Sequence, residues 1–206
     1  MKNMKRSIAL LVAIALLIGC AAGGTMAWLM DKSNTVTNTF TTADVDIELT
    51  ETKGSSFKMV PGAVYDKDPY VTVTSDSENC WLFVRVTESS EPTLGDYIKY
   101  AIASGWTAGN GTGAEQNGVP VGVYFRAVEV NGTEQKIEIL GSGEYIAADS
   151  VKYTWGANQI LVKPEITKQQ MDALESSEPT LTFTAYAVQK SGFDAAKDAW
   201  TKASTL

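Results

Sequence analysis

The 206-residue chain contains no histidine. Histidine is the commonest general base in enzymes and the commonest zinc ligand. Its absence excludes Ser-His-Asp triads, Cys-His pairs and HExxH metal sites, and with them most hydrolase mechanisms. We therefore predict no catalytic residue, no metal site and no cofactor.

Cysteine is nearly as scarce, since Cys20 and Cys80 are the only two. Cys20 belongs to the N-terminal leader, so the rest of the chain cannot form an internal disulfide. Cys80 precedes an apolar run, and we expect it to be a small buried residue rather than a reactive thiol.

Basic residues are also in deficit, with 17 Lys and Arg against 24 Asp and Glu. The formal net charge of −7 becomes −10 when the leader's three basic residues, Lys2, Lys5 and Arg6, are left out. A surface of this sign repels nucleic acid and anionic lipid. We expect no nucleic-acid partner, and membrane contact only through the leader before cleavage.

The first 27 residues have the order of a secretory signal peptide. Their basic start is followed by an apolar stretch, Ile8–Ile18, and then by small residues. Thr25 and Ala27 suit the small pockets of a signal peptidase, so cleavage would leave Trp28 at the mature N-terminus. We predict a protein secreted to the extracellular matrix or cell surface, with residues 28–206 as a single domain.

Two other interpretations of the leader stay open. Ser7–Met30 carries no charge over 24 residues, so an uncleaved helix could cross a bilayer. Alternatively, Leu17-Ile18-Gly19-Cys20 matches the short pattern at which bacterial lipoproteins are cut and acylated, which would make Cys20 a lipidated residue.

Alternation of apolar and polar residues predicts β-strands after residue 40. It is clearest at Val45–Leu49 and Val71–Val73, whereas Trp81–Val86 and Val119–Val130 are largely apolar and should be central strands. Later candidates are Lys136–Leu140, Val151–Trp155, Gln159–Lys163 and Thr180–Gln189. Many short strands predict an all-β fold, a β-sandwich of jelly-roll type with a few short covering helices.

Turn residues support this pattern. Pro61-Gly62 should separate two early strands, and Asn131-Gly132 should form the turn of a type I′ hairpin.

Helices are predicted at three places. Thr167 should cap a helix at Lys168–Glu175, and a second helix should start at Asp194. A third candidate is Leu94–Ala101.

Acidic residues pair at Asp44/Asp46, Asp66/Asp68 and Asp76/Glu78. Alternate carboxylates in loops can bind Ca²⁺, but none of these pairs continues into the twelve-residue calcium-loop pattern. We interpret them as solvated loop residues and keep Ca²⁺ only as an alternative.

Tryptophans 81, 106, 155 and 200 are scattered among separate elements, which favours core packing over a carbohydrate-binding platform.

Several motifs in residues 1–87 are similar to those of one protein family. They are Gly23-Gly24-Thr25-Met26-Ala27 with Asp31, Asn38-Thr39-Phe40-Thr41, Val45-Asp46-Ile47-Glu48-Leu49, Pro61-Gly62, Lys67-Asp68-Pro69 and Phe83-Val84-Arg85-Val86. In these motifs the chain resembles the TasA and camelysin family, whose members carry a SipW-type signal peptide. The resemblance implies a jelly-roll sandwich, cleavage after Ala27 by a SipW-type signal peptidase, and assembly into extracellular fibres of a biofilm matrix. Camelysins have been catalogued as metallopeptidases, an activity that we do not expect without histidine.

The resemblance also implies a mode of assembly, in which the mature N-terminal segment of one TasA-like subunit completes a sheet of the next. Cleavage would leave Trp28-Leu29-Met30 as an apolar tip on an otherwise polar end. The following Thr35–Thr42 is β-branched and proline-free, with Val36 and Phe40 as its large apolar residues, so it can add to an open sheet edge. Residues 28–42 are therefore a candidate donor strand. The alternative is that they form the first strand of their own domain.

Together these patterns favour a secreted structural subunit that polymerises head to tail, with a second copy of itself and the signal peptidase as partners. Two other functions stay open: a monomeric cell-surface adhesin or carbohydrate-binding module, and a surface hydrolase that uses carboxylates.

Overall fold

The computed structural model describes residues 44–53, 58–91, 93–111, 117–174 and 179–205. All of them lie in the second of the two units into which the chain divides, Thr42–Leu206. Every residue assigned above to cleavage, lipidation or strand donation lies outside the described residues: Cys20, Thr25, Ala27, Trp28, Leu29, Met30, Val36 and Phe40.

The described residues are mostly β-strand, and their strand pairings are antiparallel, which confirms the all-β prediction. The strands are β1 (Ile47–Thr50), β2 (Val64–Asp66), β3 (Tyr70–Val73), β4 (Cys80–Glu88), β5 (Ile98–Lys99), β6 (Ala101–Ile102), β7 (Thr107–Ala108), β8 (Val123–Val128), β9 (Gln135–Glu138), β10 (Leu140–Gly141), β11 (Gly143–Ile146), β12 (Lys152–Trp155), β13 (Gln159–Val162) and β14 (Leu181–Gln189). The helices are α1 (Lys168–Leu174) and α2 (Ala196–Ala203), and a 3₁₀ turn occupies Leu94–Asp96.

Two sheets pack face to face around the main core. One has the strand order β1-β3-β9 and the other β14-β4-β8-β7. Both contribute to a single apolar cluster, which includes Val71 and Ile137 from the first sheet and Leu82, Val84 and Val128 from the second. The smaller sheets are β2-β13-β5, β10-β6 and β11-β12. Each predicted strand overlaps an observed one, and β4 and β8 are central as expected.

Strand β4 is covered on both faces. Cys80, Leu82 and Val84 are fully buried between the two sheets. Phe83, which points the opposite way, is also fully buried, because α2 lies over that face. Cys80 is thus the small buried residue that the sequence predicted.

Aromatic side chains hold α2 against the sheet. The ring centroid of Trp200 lies 5.2 Å from that of Phe83 and 5.4 Å from that of Tyr186. Trp81 donates a hydrogen bond from its indole nitrogen to the Phe193 carbonyl at 3.0 Å. These tryptophans pack in the core, as their scatter along the sequence indicated.

Helix α1 begins as predicted, at a capping box. The Gln170 backbone N–H donates to the Thr167 hydroxyl at 3.3 Å, and the Thr167 N–H donates to the Gln170 side-chain oxygen at 2.9 Å. The second predicted helix is also present, although α2 begins at Ala196 rather than at Asp194.

The helix predicted at Leu94–Ala101 is wrong. After one 3₁₀ turn the chain becomes extended, and β5 pairs with β13. Tyr97 and Ile98 are adjacent and both buried. The apolar residues in this segment fit helical spacing, but pairing with β13 determines the structure.

The Asn131-Gly132 turn forms, but not as a hairpin. Both residues have positive φ, 49° and 71°, as a type I′ turn requires, and Thr133 N–H donates to the Val130 carbonyl at 2.9 Å. The flanking strands do not pair with each other, since β8 pairs with β4 and β9 pairs with β3. The turn instead carries the chain from one main sheet to the other.

No helix among the described residues is long and apolar enough to cross a membrane.

Replacing Phe83 tests the packing of α2 on β4. Phe83→Ala should lower the free energy of unfolding by about 3 to 5 kcal/mol, because it leaves a cavity beneath Trp200. The matched control is Val121→Ala at a side chain that is 79% exposed, where we expect a change within about 0.5 kcal/mol. Urea denaturation of the mature protein, followed by tryptophan fluorescence, measures both. Equal effects would show that α2 does not cover this face.

Candidate functional site

At one rim of the sandwich the edge strands β1 and β14 approach each other, with some Cα atoms within 8 Å. Each is the terminal strand of its sheet, and neither has a second partner strand among the described residues. A cleft of about 290 Å³ lies between them. Its lining residues are Leu49, Thr50, Glu51, Pro69, Leu181, Thr182 and Phe183. We call it the rim cleft.

Core side chains are left uncovered along the rim cleft. Leu49 pairs with Val71 across β1 and β3, so both side chains point to the inner face. Val71 is fully buried, yet Leu49 is 37% exposed. Phe183 and Ala185 on β14 also pack against the core while only partly buried. An additional strand here would bury apolar surface that now contacts water.

Along this rim, β14 has backbone hydrogen-bonding groups that no other described strand pairs with. Ser89 N–H donates to the Thr180 carbonyl, and Lys190 N–H donates to the Asn79 carbonyl. Even-numbered positions therefore direct their backbone groups toward β4, and the odd-numbered ones direct theirs away from it. The outward-directed positions of this nine-residue strand are Leu181, Phe183, Ala185, Ala187 and Gln189.

The short strand β1 presents a similar edge. Thr74 N–H donates to the Asp46 carbonyl, so even-numbered positions of β1 direct their backbone groups toward β3. By the same alternation, Ile47 and Leu49 direct theirs away from β3. Backbone donors and acceptors that pair with no described strand thus line both sides of the rim cleft.

A second, apolar pocket of about 310 Å³ adjoins the rim cleft, because Glu51, Leu181 and Thr182 line both. One part of its wall is apolar, formed by Met59, Leu94, Ile98, Ile160 and Val162, and another part carries the charged Lys67 and Glu51. We call it the anchor pocket. Its volume is enough for one large apolar side chain.

A buried ion pair marks the junction of the cleft and the pocket. The Lys67 ammonium lies 2.8 and 3.0 Å from the two carboxylate oxygens of Glu51. It also lies 5.6 Å from the centroid of the Phe183 ring. Lys67 is only 6% exposed and is the buried charged residue of the described part of the chain. The ion pair therefore places two opposite charges beside the apolar side chains of the site.

Asp68 fixes the chain that carries Glu51. Its carboxylate accepts hydrogen bonds from the backbone N–H groups of Thr52 and Lys53, each at 2.9 Å, and from the Thr52 hydroxyl at 2.6 Å. Partial desolvation raises the pKa of Asp68, but these hydrogen bonds outweigh it and lower the pKa overall. The Asp66/Asp68 pair therefore has a structural use, since Asp66 also accepts a hydrogen bond from the Gln159 amide.

Among the described residues no group of three or more acidic or cysteine side chains is placed to hold a metal ion.

The opposite rim, between β8 and β9, has a different character. Its cleft is larger, about 490 Å³. At the end of β9, Trp106 donates a hydrogen bond from its indole nitrogen to the Glu138 carbonyl at 2.9 Å. The Arg126 guanidinium lies over the Trp106 ring at 5.8 Å. Val86 N–H donates to the Gly122 carbonyl, so even-numbered positions of β8 direct their backbone groups toward β4. Odd-numbered positions direct theirs away from β4, and Ala127 lies beyond the part of β8 that pairs with β7.

The sequence predicted a donor strand but did not identify the residues that would accept it. Leu49, Lys67 and Leu181 belong to separate strands, and their proximity is visible only in the structure. The one local signal is Leu181–Gln189, which is uncharged and proline-free over nine residues although it is an edge strand. No family model, curated protein or solved structure matches this chain.

Replacing Glu51 tests the ion pair at this site. Glu51→Gln should lower the free energy of unfolding by about 2 to 4 kcal/mol, because it removes a carboxylate charge from the buried Lys67 ammonium. The control is Glu144→Gln, which breaks the exposed pair with Lys152 and should cost about 0 to 1 kcal/mol. Urea denaturation gives both values. A loss for Glu51→Gln no larger than the control's would mean that Lys67 is well solvated.

Proposed function

We propose that the chain is a secreted structural subunit that polymerises head to tail. In this proposal the N-terminal segment of one copy, released by cleavage after Ala27, adds a strand to the rim cleft of the next copy. The observation that supports it best is the 37% exposure of Leu49 on the inner face of the sandwich. An added strand would complete a core that the described residues leave uncovered.

The composition of β14 supports this proposal, because the strand lacks the residues that usually prevent pairing at a sheet edge. Natural edge strands usually carry lysine, proline, a bulge or inward-pointing charge, which prevents pairing with other chains. Leu181–Gln189 has none of these residues, since it reads LTFTAYAVQ. Its outward backbone groups are therefore accessible to an extended peptide.

Energetics favour a strand over a tip alone. Burial of Trp28-Leu29-Met30 would contribute roughly 1.5 to 3 kcal/mol per side chain. Association costs an estimated ~4 to 15 kcal/mol, so the tip by itself binds marginally. Hydrogen bonds along β14 and the burial of further apolar side chains in the rim cleft supply the remainder.

Head-to-tail addition gives a linear fibre, because donor and acceptor are different surfaces of the same chain. Extracellular fibres of a matrix are the product that fits the export signal and the acidic surface. The adhesin alternative receives less support, since Trp155 and Trp200 are buried and Trp81 and Trp106 are engaged in hydrogen bonds.

A proline in β14 tests the acceptor edge. The Ala185 N–H points outward, so Ala185→Pro removes a donor from the free edge while the pairing with β4 is kept. The mature variant should keep its far-UV circular dichroism spectrum but form no filaments in electron micrographs. Ala127→Pro is the matched control, because its N–H points outward at the opposite rim, and it should form filaments normally. Normal filaments from Ala185→Pro would exclude β14 as the acceptor.

Deleting the mature N-terminus tests the donor. Removal of Trp28-Leu29-Met30 should leave a folded monomer with far fewer filaments, since the apolar tip adds to the affinity of each contact. Removal of residues 28–42 should abolish filaments. Thermal unfolding and electron microscopy are the two measurements. Unchanged assembly by the second deletion would contradict strand donation.

A further inference from the structure

We propose that Phe40 of a second copy fills the anchor pocket, in a donor strand that runs antiparallel to β14. This inference rests on the proposed function and adds the direction, the register and the anchoring side chain. It follows from matching the alternation of the donor sequence to the pattern of the rim cleft.

The alternation of the donor segment determines which face points inward. In an extended strand Val36, Asn38 and Phe40 share one face, and the other face carries only threonines, at positions 35, 37, 39 and 41. The rim cleft exposes Leu49 and other apolar side chains of the core. The face with Val36 and Phe40 therefore covers the core, and the threonine face points to solvent.

Asn38 then determines the register. It lies between the two apolar residues on the inward face, where an amide without a partner is costly. The charged groups of the site are the Lys67–Glu51 pair, which lies at the side of the anchor pocket nearest the Phe183 ring. Placing Asn38 opposite Phe183 lets its amide donate a hydrogen bond to the Glu51 carboxylate. A shift of two residues in either direction moves the amide away from this pair.

The anchor pocket determines the direction. With Asn38 opposite Phe183, an antiparallel strand places Phe40 opposite Leu181, at the pocket of about 310 Å³, and Val36 opposite Ala185. In a parallel strand Val36 would lie opposite Leu181 and Phe40 opposite Ala185, so the smaller valine would lie at the pocket. The antiparallel arrangement buries the larger side chain where the larger volume is, so it is the one that the geometry favours.

Cysteine cross-linking between copies tests this register. In the proposed arrangement Thr39 lies directly opposite Thr182, and both side chains point to the outer face. Thr182 directs its backbone groups toward β4, so the two residues form a non-hydrogen-bonded pair with Cα atoms about 4.5 Å apart. That separation is within the range of about 4.4 to 6.8 Å for a disulfide.

The chain is well suited to this experiment. The mature protein lacks Cys20, and Cys80 is fully buried. Burial raises the pKa of the Cys80 thiol to about 11, so it does not compete at neutral pH. Mature Thr39→Cys and Thr182→Cys variants are mixed in equal amounts, allowed to assemble and oxidised, and disulfide-linked dimers are measured by non-reducing electrophoresis.

The matched control is a mixture of Thr37→Cys and Thr182→Cys, the pair that a parallel strand would bring together. We expect several-fold more dimer from positions 39 and 182 than from positions 37 and 182. The reverse result, or filaments without a cross-link at 39 and 182, overturns the proposed register and leaves strand donation intact. Absence of filaments from the unsubstituted mature protein overturns the proposed function itself.

A variant of the anchor provides a second measurement. Phe40→Ala should raise the critical concentration for assembly by about tenfold or more, because it empties the anchor pocket. Thr39→Ala changes the solvent-facing side and should have little effect. Equal effects of the two variants would show that the pocket does not hold Phe40.

Discussion

Burial of both faces of β4 is the constraint on which the rest of the structure depends. One face packs against β3 and β9, and the other packs against α2 through Phe83 and Trp200. In β4 the first five residues, Cys80–Val84, are buried or half-buried on both faces. On β14 the inner-face side chains Leu181, Phe183 and Ala185 are only half-buried, and the rim cleft lies at that edge.

The strands were predictable because alternation and apolar runs are local signals. The helix at Leu94–Ala101 and the hairpin at Asn131-Gly132 were predicted wrongly for one reason. The local sequence does not specify which strands pair with each other. Leu94–Ala101 fits a helical period, yet β13 supplies hydrogen bonds to Ile98 and Lys99 that make it extended. Asn131-Gly132 has the local preference for a type I′ turn, but β8 and β9 find better partners in opposite sheets.

The residues that line the rim cleft could not be predicted from the sequence for a similar reason. Whether a strand is central or at an edge depends on the order of strands in the sheet, which alternation does not specify. Lys67 shows that burial cannot be predicted from the local sequence alone, because a lysine between two short strands suggests an exposed loop. In the structure it is buried against Phe183 and neutralised by Glu51, sixteen residues earlier.

The position of β14 and α2 along the chain has a consequence for the timing of folding. Strand β14 is the last strand described and pairs with β4, about a hundred residues earlier, over its full length. The helix that covers β4 follows it. Neither face of the four-stranded sheet can be completed until the C-terminal residues are present, and such long-range pairing is intrinsically slow. The four-stranded sheet and its helical cover therefore form in full only after residues 181–203 have been synthesised.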